Sequence, residues 1–148
     1  MEDVRYILIY VVSAVVSFLA PIQDFMVATT IVFVTNFVCG LVSDIVHGDG
    51  WDTKKALLFF RDCFIYFGLI TFVYANGHFL HNETAAVQSV SYIGWVALWI
   101  YTVNILRNLL TVTKQGSMYT LLSFLYYVLS FKMIEKIPYL AEWQKSKK

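Results

Sequence analysis

Four apolar stretches, each long enough to cross a lipid bilayer, limit most strongly what this chain can fold into. They occupy residues 6–22, 25–44, 54–74 and 85–106. A membrane-spanning helix needs about 20 mostly apolar residues, within a range of about 17 to 25. The sequence therefore predicts an all-α integral membrane protein with four transmembrane helices.

The composition agrees with this class. Of the 148 residues, 59% are hydrophobic and 14% are charged, whereas a soluble domain carries about 25% charged residues. The first stretch does not resemble a cleaved signal peptide, because Glu2 and Asp3 outnumber Arg5 and Pro21 would follow the cleavage site. No linker or low-complexity tract divides the chain, so residues 1–148 are predicted to form a single membrane domain.

Turn-forming residues separate the predicted spans. Pro21 and the polar residues after it predict a tight turn between the first two spans, and the glycines and aspartates of residues 48–52 predict a reversal after the second. Asn76 and Gly77 are expected to end the third span, so that residues 76–84 form a second outer loop.

Basic residues are placed on one side of the membrane by this topology. The outer loops at residues 23–24 and 76–84 contain no lysine or arginine. Because cytoplasmic loops are enriched in these residues, both termini are predicted to be cytoplasmic. The eleven residues on that side are Arg5, Lys54, Lys55, Arg61, Arg107, Lys114, Lys132, Lys136, Lys145, Lys147 and Lys148.

A fifth apolar stretch, residues 117–131, precedes a basic tail at residues 132–148. Ser117, Thr120, Ser123 and Tyr127 recur in it at roughly helical spacing. The stretch is short for a span, and a crossing would put the final lysines outside. We predict an amphipathic helix that is interfacial or re-entrant, with a fifth span as the alternative.

Small and polar residues form one stripe on the second span and another on the fourth. Such residues mark contact faces between helices in lipid, where hydrophobic attraction between helices is absent. The two stripes either pack together within one subunit or join neighbouring subunits. The predicted assembly face consists of Asn36, Gly40, Ser43, Gly94, Ala97, Tyr101, Asn104 and Asn108.

Charged residues near the span ends are expected at the membrane interface, because an ionised group at the bilayer centre costs about 2.5–3.5 kcal/mol or more. Arg61 is expected to pair with Asp44 or Asp62, while the long side chains reach toward the headgroups. The alternative is that these groups line a water-filled opening in the assembled protein. The interfacial set is Asp44, Lys54, Lys55, Arg61, Asp62 and Arg107.

Motifs that would indicate an enzyme were not found. The chain lacks H-E-x-x-H, G-x-S-x-G and a phosphate-binding glycine loop. His78, His81 and Glu83 lie close in sequence, but their spacing matches no metal motif. No catalytic residue, cofactor, metal ion or nucleic acid is predicted, and the lipid bilayer is the expected environment.

Three short segments resemble the holins of phage lysis and toxin secretion. Residues 36–40, Asn-Phe-Val-Cys-Gly, stand where that family tends to have an acidic residue four positions before a glycine. Residues 51–55 followed by Arg61 resemble its loop ahead of a basic helix start. Residues 104–108, Asn-Ile-Leu-Arg-Asn, resemble its Ser-Ile-Leu-Lys-Asn signature.

This resemblance implies a homo-oligomer that forms membrane lesions and releases an endolysin or a toxin. The chain departs from the family pattern at Asn36 and Thr102, which replace acidic residues, and near Gly116, where a proline pair is missing. The alternative interpretation is a non-lytic membrane module, either an accessory subunit of a transporter or injection apparatus or an antiphage membrane effector.

Overall fold

A computed structural model describes residues 2–48 and 53–132, with side chains for residues 4–48 and 53–130. Within these ranges the chain is helical except for short connections at residues 48, 80–82 and 113–116, and it contains no strand, which confirms the predicted all-α class. A 3-10 turn at Ala20–Ile22 joins the first two helices, and a π-helical turn at Val128–Lys132 follows the last. Residues 133–148 of the predicted basic tail lie outside the described residues. The helices are α1 (Glu2–Leu19), α2 (Gln23–His47), α3 (Thr53–Phe79), α4 (Glu83–Val112) and α5 (Ser117–Tyr127).

Three helical stretches are long and apolar enough to cross a membrane, namely Val4–His47, Thr53–Phe79 and Glu83–Val112. The predicted spans at residues 25–44, 54–74 and 85–106 fall within α2, α3 and α4. The predicted first span belongs to the same continuous helical stretch as the second, because only the 3-10 turn separates them.

Helices α2, α3 and α4 pack together as a bundle. Phe33 contacts Tyr101, and Ser43 contacts Thr111, which lies 68 positions further along the chain. Both pairs have the same sequence separation, so α2 and α4 run parallel. Helix α3 runs antiparallel to α2, since Tyr66 contacts Phe33 while Lys55, eleven positions earlier, contacts Asp44. The bundle core includes Ile22, Phe33, Ile70, Tyr74 and Val90, each at most 2% exposed.

The predicted end of the third span at Asn76 and Gly77 is wrong, because α3 continues to Phe79. Gly77 lies at a close approach to α4, where an added Cβ would stand 2.3 Å from the Cβ of Ala86. The glycine is needed for this contact and does not stop the helix. The reversal follows at His81, whose φ is +54°, and the Asn82 side chain accepts a hydrogen bond from the Ala85 amide at the start of α4.

The junction between α1 and α2 is not the predicted tight turn. Within the described residues, positive φ occurs at Gly48, His81 and Gly116, which lie at the three later connections. The α1–α2 junction has no such residue, and Pro21 occupies the first turn of the 3-10 segment, where proline is tolerated. Helix α1 therefore does not pack along α2, and all side chains of residues 4–17 are exposed.

Helix α5 lies against α4. The Trp99 indole Nε1 on α4 donates a hydrogen bond of 3.0 Å to the Leu129 carbonyl in the π-helical turn after α5. The apolar helical stretch Ser117–Ser130 belongs to the shorter class of 10–17 residues, whereas a span needs about 20. This length disfavours the fifth-span alternative. The interfacial or re-entrant position of the segment stays a prediction.

Candidate functional site

The two predicted stripes face each other within one chain. The Ser43 and Thr111 hydroxyl oxygens are 2.6 Å apart, which joins α2 to α4 by a hydrogen bond. A Cβ at Gly40 would lie 3.6 Å from the Nδ2 atom of Asn108, an ordinary van der Waals distance. These contacts correspond to the intramolecular alternative. Whether the same residues also join subunits stays a prediction.

The other stripe residues also lie at contacts between helices. Gly94 is buried on α4, and a Cβ there would be 3.5 Å from the Tyr66 hydroxyl and 3.7 Å from the Phe25 ring. Ala97 packs against the core cluster, and Asn104 is half-buried on the same helix. Small side chains thus allow α4 to approach both neighbouring helices closely.

Charged residues gather where α2 ends, α3 begins and α4 ends. The Lys55 ammonium lies 2.7 Å from the Asp44 carboxylate and joins α2 to α3. Arg61 pairs with Asp62, with Nη2 2.8 Å from Oδ1, which confirms one of the two predicted partners. Lys54 and Arg107 are exposed at the same end of the bundle, which we call the basic end.

A cleft of about 370 Å³ opens between α2, α3 and α4 at the basic end, and its lining is more apolar than polar. The Asn36 side chain lines it, and the Asn36 Oδ1 atom is buried and accepts no hydrogen bond from the described residues. The sequence indicated the individual residues but not the cleft, because their convergence depends on the register of three helices. Polar residues that line it are Asn36, Asp44, Lys55, Asp62, Tyr101 and Arg107.

The opposite end of the bundle carries a second polar contact. The His78 Nδ1 atom is 2.7 Å from a Glu83 carboxylate oxygen, although the two groups are not aligned as a hydrogen bond. The His78 ring also meets the Phe18 ring edge-on, with centroids 5.1 Å apart. This contact attaches the last turn of α1 to α3. Among the described residues, no three histidine, cysteine, aspartate or glutamate side chains are grouped as metal ligands.

Comparisons with known proteins found no relative. No family model matches the chain, and neither the curated proteins nor the solved structures include a match.

Proposed function

We propose that the chain is a holin-like membrane protein that oligomerises and forms lesions through which an endolysin or a toxin leaves the cell. One observation carries the proposal: the segments with the holin resemblance, far apart in sequence, meet at the basic end. Gly40 of the first faces Asn108 of the last. Lys55, from the middle segment, binds Asp44, one turn beyond Gly40. Short motifs that converge in space provide stronger support than the same motifs scattered over a surface.

Four crossings are part of the proposal. As one straight helix, the 44 residues of Val4–His47 would be about 66 Å long at about 1.5 Å per residue, more than twice the hydrocarbon thickness of about 30 Å. In the structure α1 continues the helical stretch of α2 without a reversal. We propose that in the membrane α1 folds back at the 3-10 turn and forms a crossing of its own. Arg5 then joins the basic end, which puts both termini on the cytoplasmic side of a bacterial inner membrane.

Self-association is supported by the bare surface of α1. Its residues 4–17 have no partner in the subunit, although they make up most of a span. Tyr6, Tyr10, Ser13 and Ser17 recur at helical spacing and share one face. Hydroxyl groups and small residues favour contact with another helix over contact with lipid. We propose that this face packs against a neighbouring copy of the chain.

Lysis in a bacterial host tests the proposal. Induced expression should cause an abrupt loss of membrane potential, followed by lysis when an endolysin is present in the cytoplasm. Ser13→Leu together with Ser17→Leu should delay the loss, because the polar face of α1 is removed. Val11→Leu with Val15→Leu, on the opposite face, is the matched control and should leave the timing unchanged.

Steady growth at high membrane abundance would refute lesion formation. A non-lytic membrane module would instead be harmless until triggered and would co-purify with a dedicated partner protein. Detergent extraction of the same cells, followed by native electrophoresis, separates a homo-oligomer from such a complex.

A further inference from the structure

The cleft at the basic end reaches the middle of the proposed membrane span. Asn36 is 13 residues from the start of α2 at Gln23 and 11 from its end at His47, or about 20 and 16 Å at the helical rise. Gly40 and Asp44 follow Asn36 at intervals of four residues, so the three share a face of α2. Polar side chains thus occur along the cleft from the headgroup level to the bilayer centre, among the apolar side chains of Phe37, Leu41, Leu58 and Phe59.

The ionised side chains along this cleft indicate what fills it. Inside a bilayer, charged groups are tolerated where they pair with one another or face a water-filled cavity. The Asn36 Oδ1 atom itself is buried and accepts no hydrogen bond from the described residues. The cleft volume of about 370 Å³ has room for on the order of ten water molecules at about 30 Å³ each. Asp44 and Asp62 remain partly exposed, with 24% and 43% of their side chains accessible. Water can therefore enter from the basic end.

Aromatic rings close the path beyond Asn36. Phe33, one turn further into the bundle, is 1% exposed. Its ring centroid lies 4.3 Å from that of Tyr101 and 5.2 Å from that of Tyr66. The fully buried side chains of Ile70 and Val90 lie in the same core cluster. The core is packed at this level, although the buried hydroxyl groups of Thr29 and Tyr66 lie in this half of the bundle. A separate cavity of about 680 Å³ opens near its far end, with Glu83 and Gln88 in the lining.

We propose that each subunit contains a water-filled half-channel, which runs from the basic end to Asn36 and is closed by the ring of Phe33. The inference rests on the proposed position in a bilayer but not on lysis. Its ligand is water, held by the partly exposed carboxylates of Asp44 and Asp62, with Asn36 at the inner end. A single subunit then conducts nothing while Phe33 stays in place.

Cysteine accessibility in membrane vesicles tests the half-channel. In a chain with Cys39→Ala and Cys63→Ala, single cysteines replace Asn36 or Gly40 in the cleft, and Val38 serves as the matched control. Val38 lies between them in depth but is 49% exposed on the outer surface. A membrane-impermeant methanethiosulfonate should modify the two cleft cysteines at least about tenfold faster than the control, because its reaction needs a thiolate, which forms in water. The reagent is added to inverted vesicles. In the proposed topology their outer face is the cytoplasmic side, so the reagent reaches the basic end.

Modification of the cleft cysteines no faster than the Val38 control overturns the half-channel. Faster modification of the cleft cysteines than of the control in right-side-out vesicles only would preserve the cleft and overturn the proposed sidedness. Rapid modification in a chain that never causes lysis would preserve the half-channel and overturn the lesion-forming function. The two proposals therefore fail separately.

The closing role of Phe33 has its own test. A cysteine at Thr29, which is 1% exposed beyond Phe33, should be protected in the parent chain and become reactive from the basic end with Phe33→Ala. Phe33→Leu, which keeps most of the side-chain volume, should preserve the protection. Continued slow reaction of a Val38 cysteine shows that α2 of the variant stays inserted in the membrane. If Phe33→Ala does not fold, the Thr29 cysteine is measured in the chain that keeps Phe33. A reactive thiol there would show that Phe33 does not close the half-channel.

Discussion

The close approach of α3 and α4 at Gly77 leads to a prediction with a definite sign. In Gly77→Ala, the new Cβ would lie 2.3 Å from the Cβ of Ala86 and 3.2 Å from its Cα. Apolar carbons prefer separations of about 3.5–4.0 Å, so the two helices would have to move apart by about 1.2 Å. The neighbouring atoms belong to a backbone and to the first carbon of a side chain, and rotation of a side chain cannot relieve the contact.

The expected loss of stability follows from two opposing effects. Overpacking of this kind costs about 1–3 kcal/mol, and the rigid neighbours place Gly77→Ala in the upper part of that range. Alanine recovers about 1 kcal/mol through its higher helix propensity. The net loss should be about 1–2 kcal/mol, which lowers the melting temperature by about 2–8 °C for a chain of this size.

Gly68 provides the control on the same helix. No atom lies within 4 Å of a Cβ added there. Gly68→Ala should therefore keep the propensity gain of about 1 kcal/mol and raise the melting temperature. Combining Gly77→Ala with Ala86→Gly should restore most of the lost stability, because it removes the methyl group on the opposite side.

The free thiols of Cys39 and Cys63 report the transition. Both are partly buried, so a fluorogenic maleimide should react with them as the protein unfolds on heating in detergent. Equal shifts in the same direction for Gly77→Ala and Gly68→Ala would refute the argument, since the contact with Ala86 alone distinguishes the two sites.

Two further predictions concern single hydrogen bonds. Ser43→Ala removes the bond to Thr111 between α2 and α4 and should cost about 0.6 kcal/mol, the average for hydrogen bonds between transmembrane helices; an unchanged melting temperature would contradict a stabilising role. Trp99→Phe removes the bond to the Leu129 carbonyl and should speed limited proteolysis between α4 and α5. Trp95→Phe, at a site 67% exposed, should leave the proteolysis rate unchanged, and equal rates for the two variants would refute the anchoring role of Trp99.

The sequence was most informative where bilayer thickness sets the length of an element. Helices α2, α3 and α4 were predictable because each contains a stretch of about 20 mostly apolar residues, the length that a span requires. Asn76 and Gly77 misled the prediction, because glycine serves both to end helices and to permit close helix contacts. Only the position of Ala86 distinguishes these two uses, and that position depends on tertiary packing.

The candidate site was predictable as a set of residues but not as a surface. The spacing of Asn36, Gly40 and Ser43 placed them on one face of α2, which the structure confirms through the contacts of Gly40 and Ser43 with α4. Whether that face meets α4 or another subunit depends on interhelical register. The helical period of a sequence shows which residues share one face of a helix. It does not show which other helix packs against that face.

The polar stripes of α2 and α4 contact each other within one subunit, and this limits where a lesion can open. A lesion needs walls that water wets, but the outer surfaces of α2 and α3 present large apolar side chains such as Val34, Val38 and Phe64. Contact between those surfaces alone would give a dry interface. The wettable groups include the hydroxyl face of α1, the charged residues of the cleft and the residues enclosed between α2 and α4. If subunits do form lesions, either α1 lines the opening or α2 separates from α4, and the second route must break the hydrogen bond between Ser43 and Thr111.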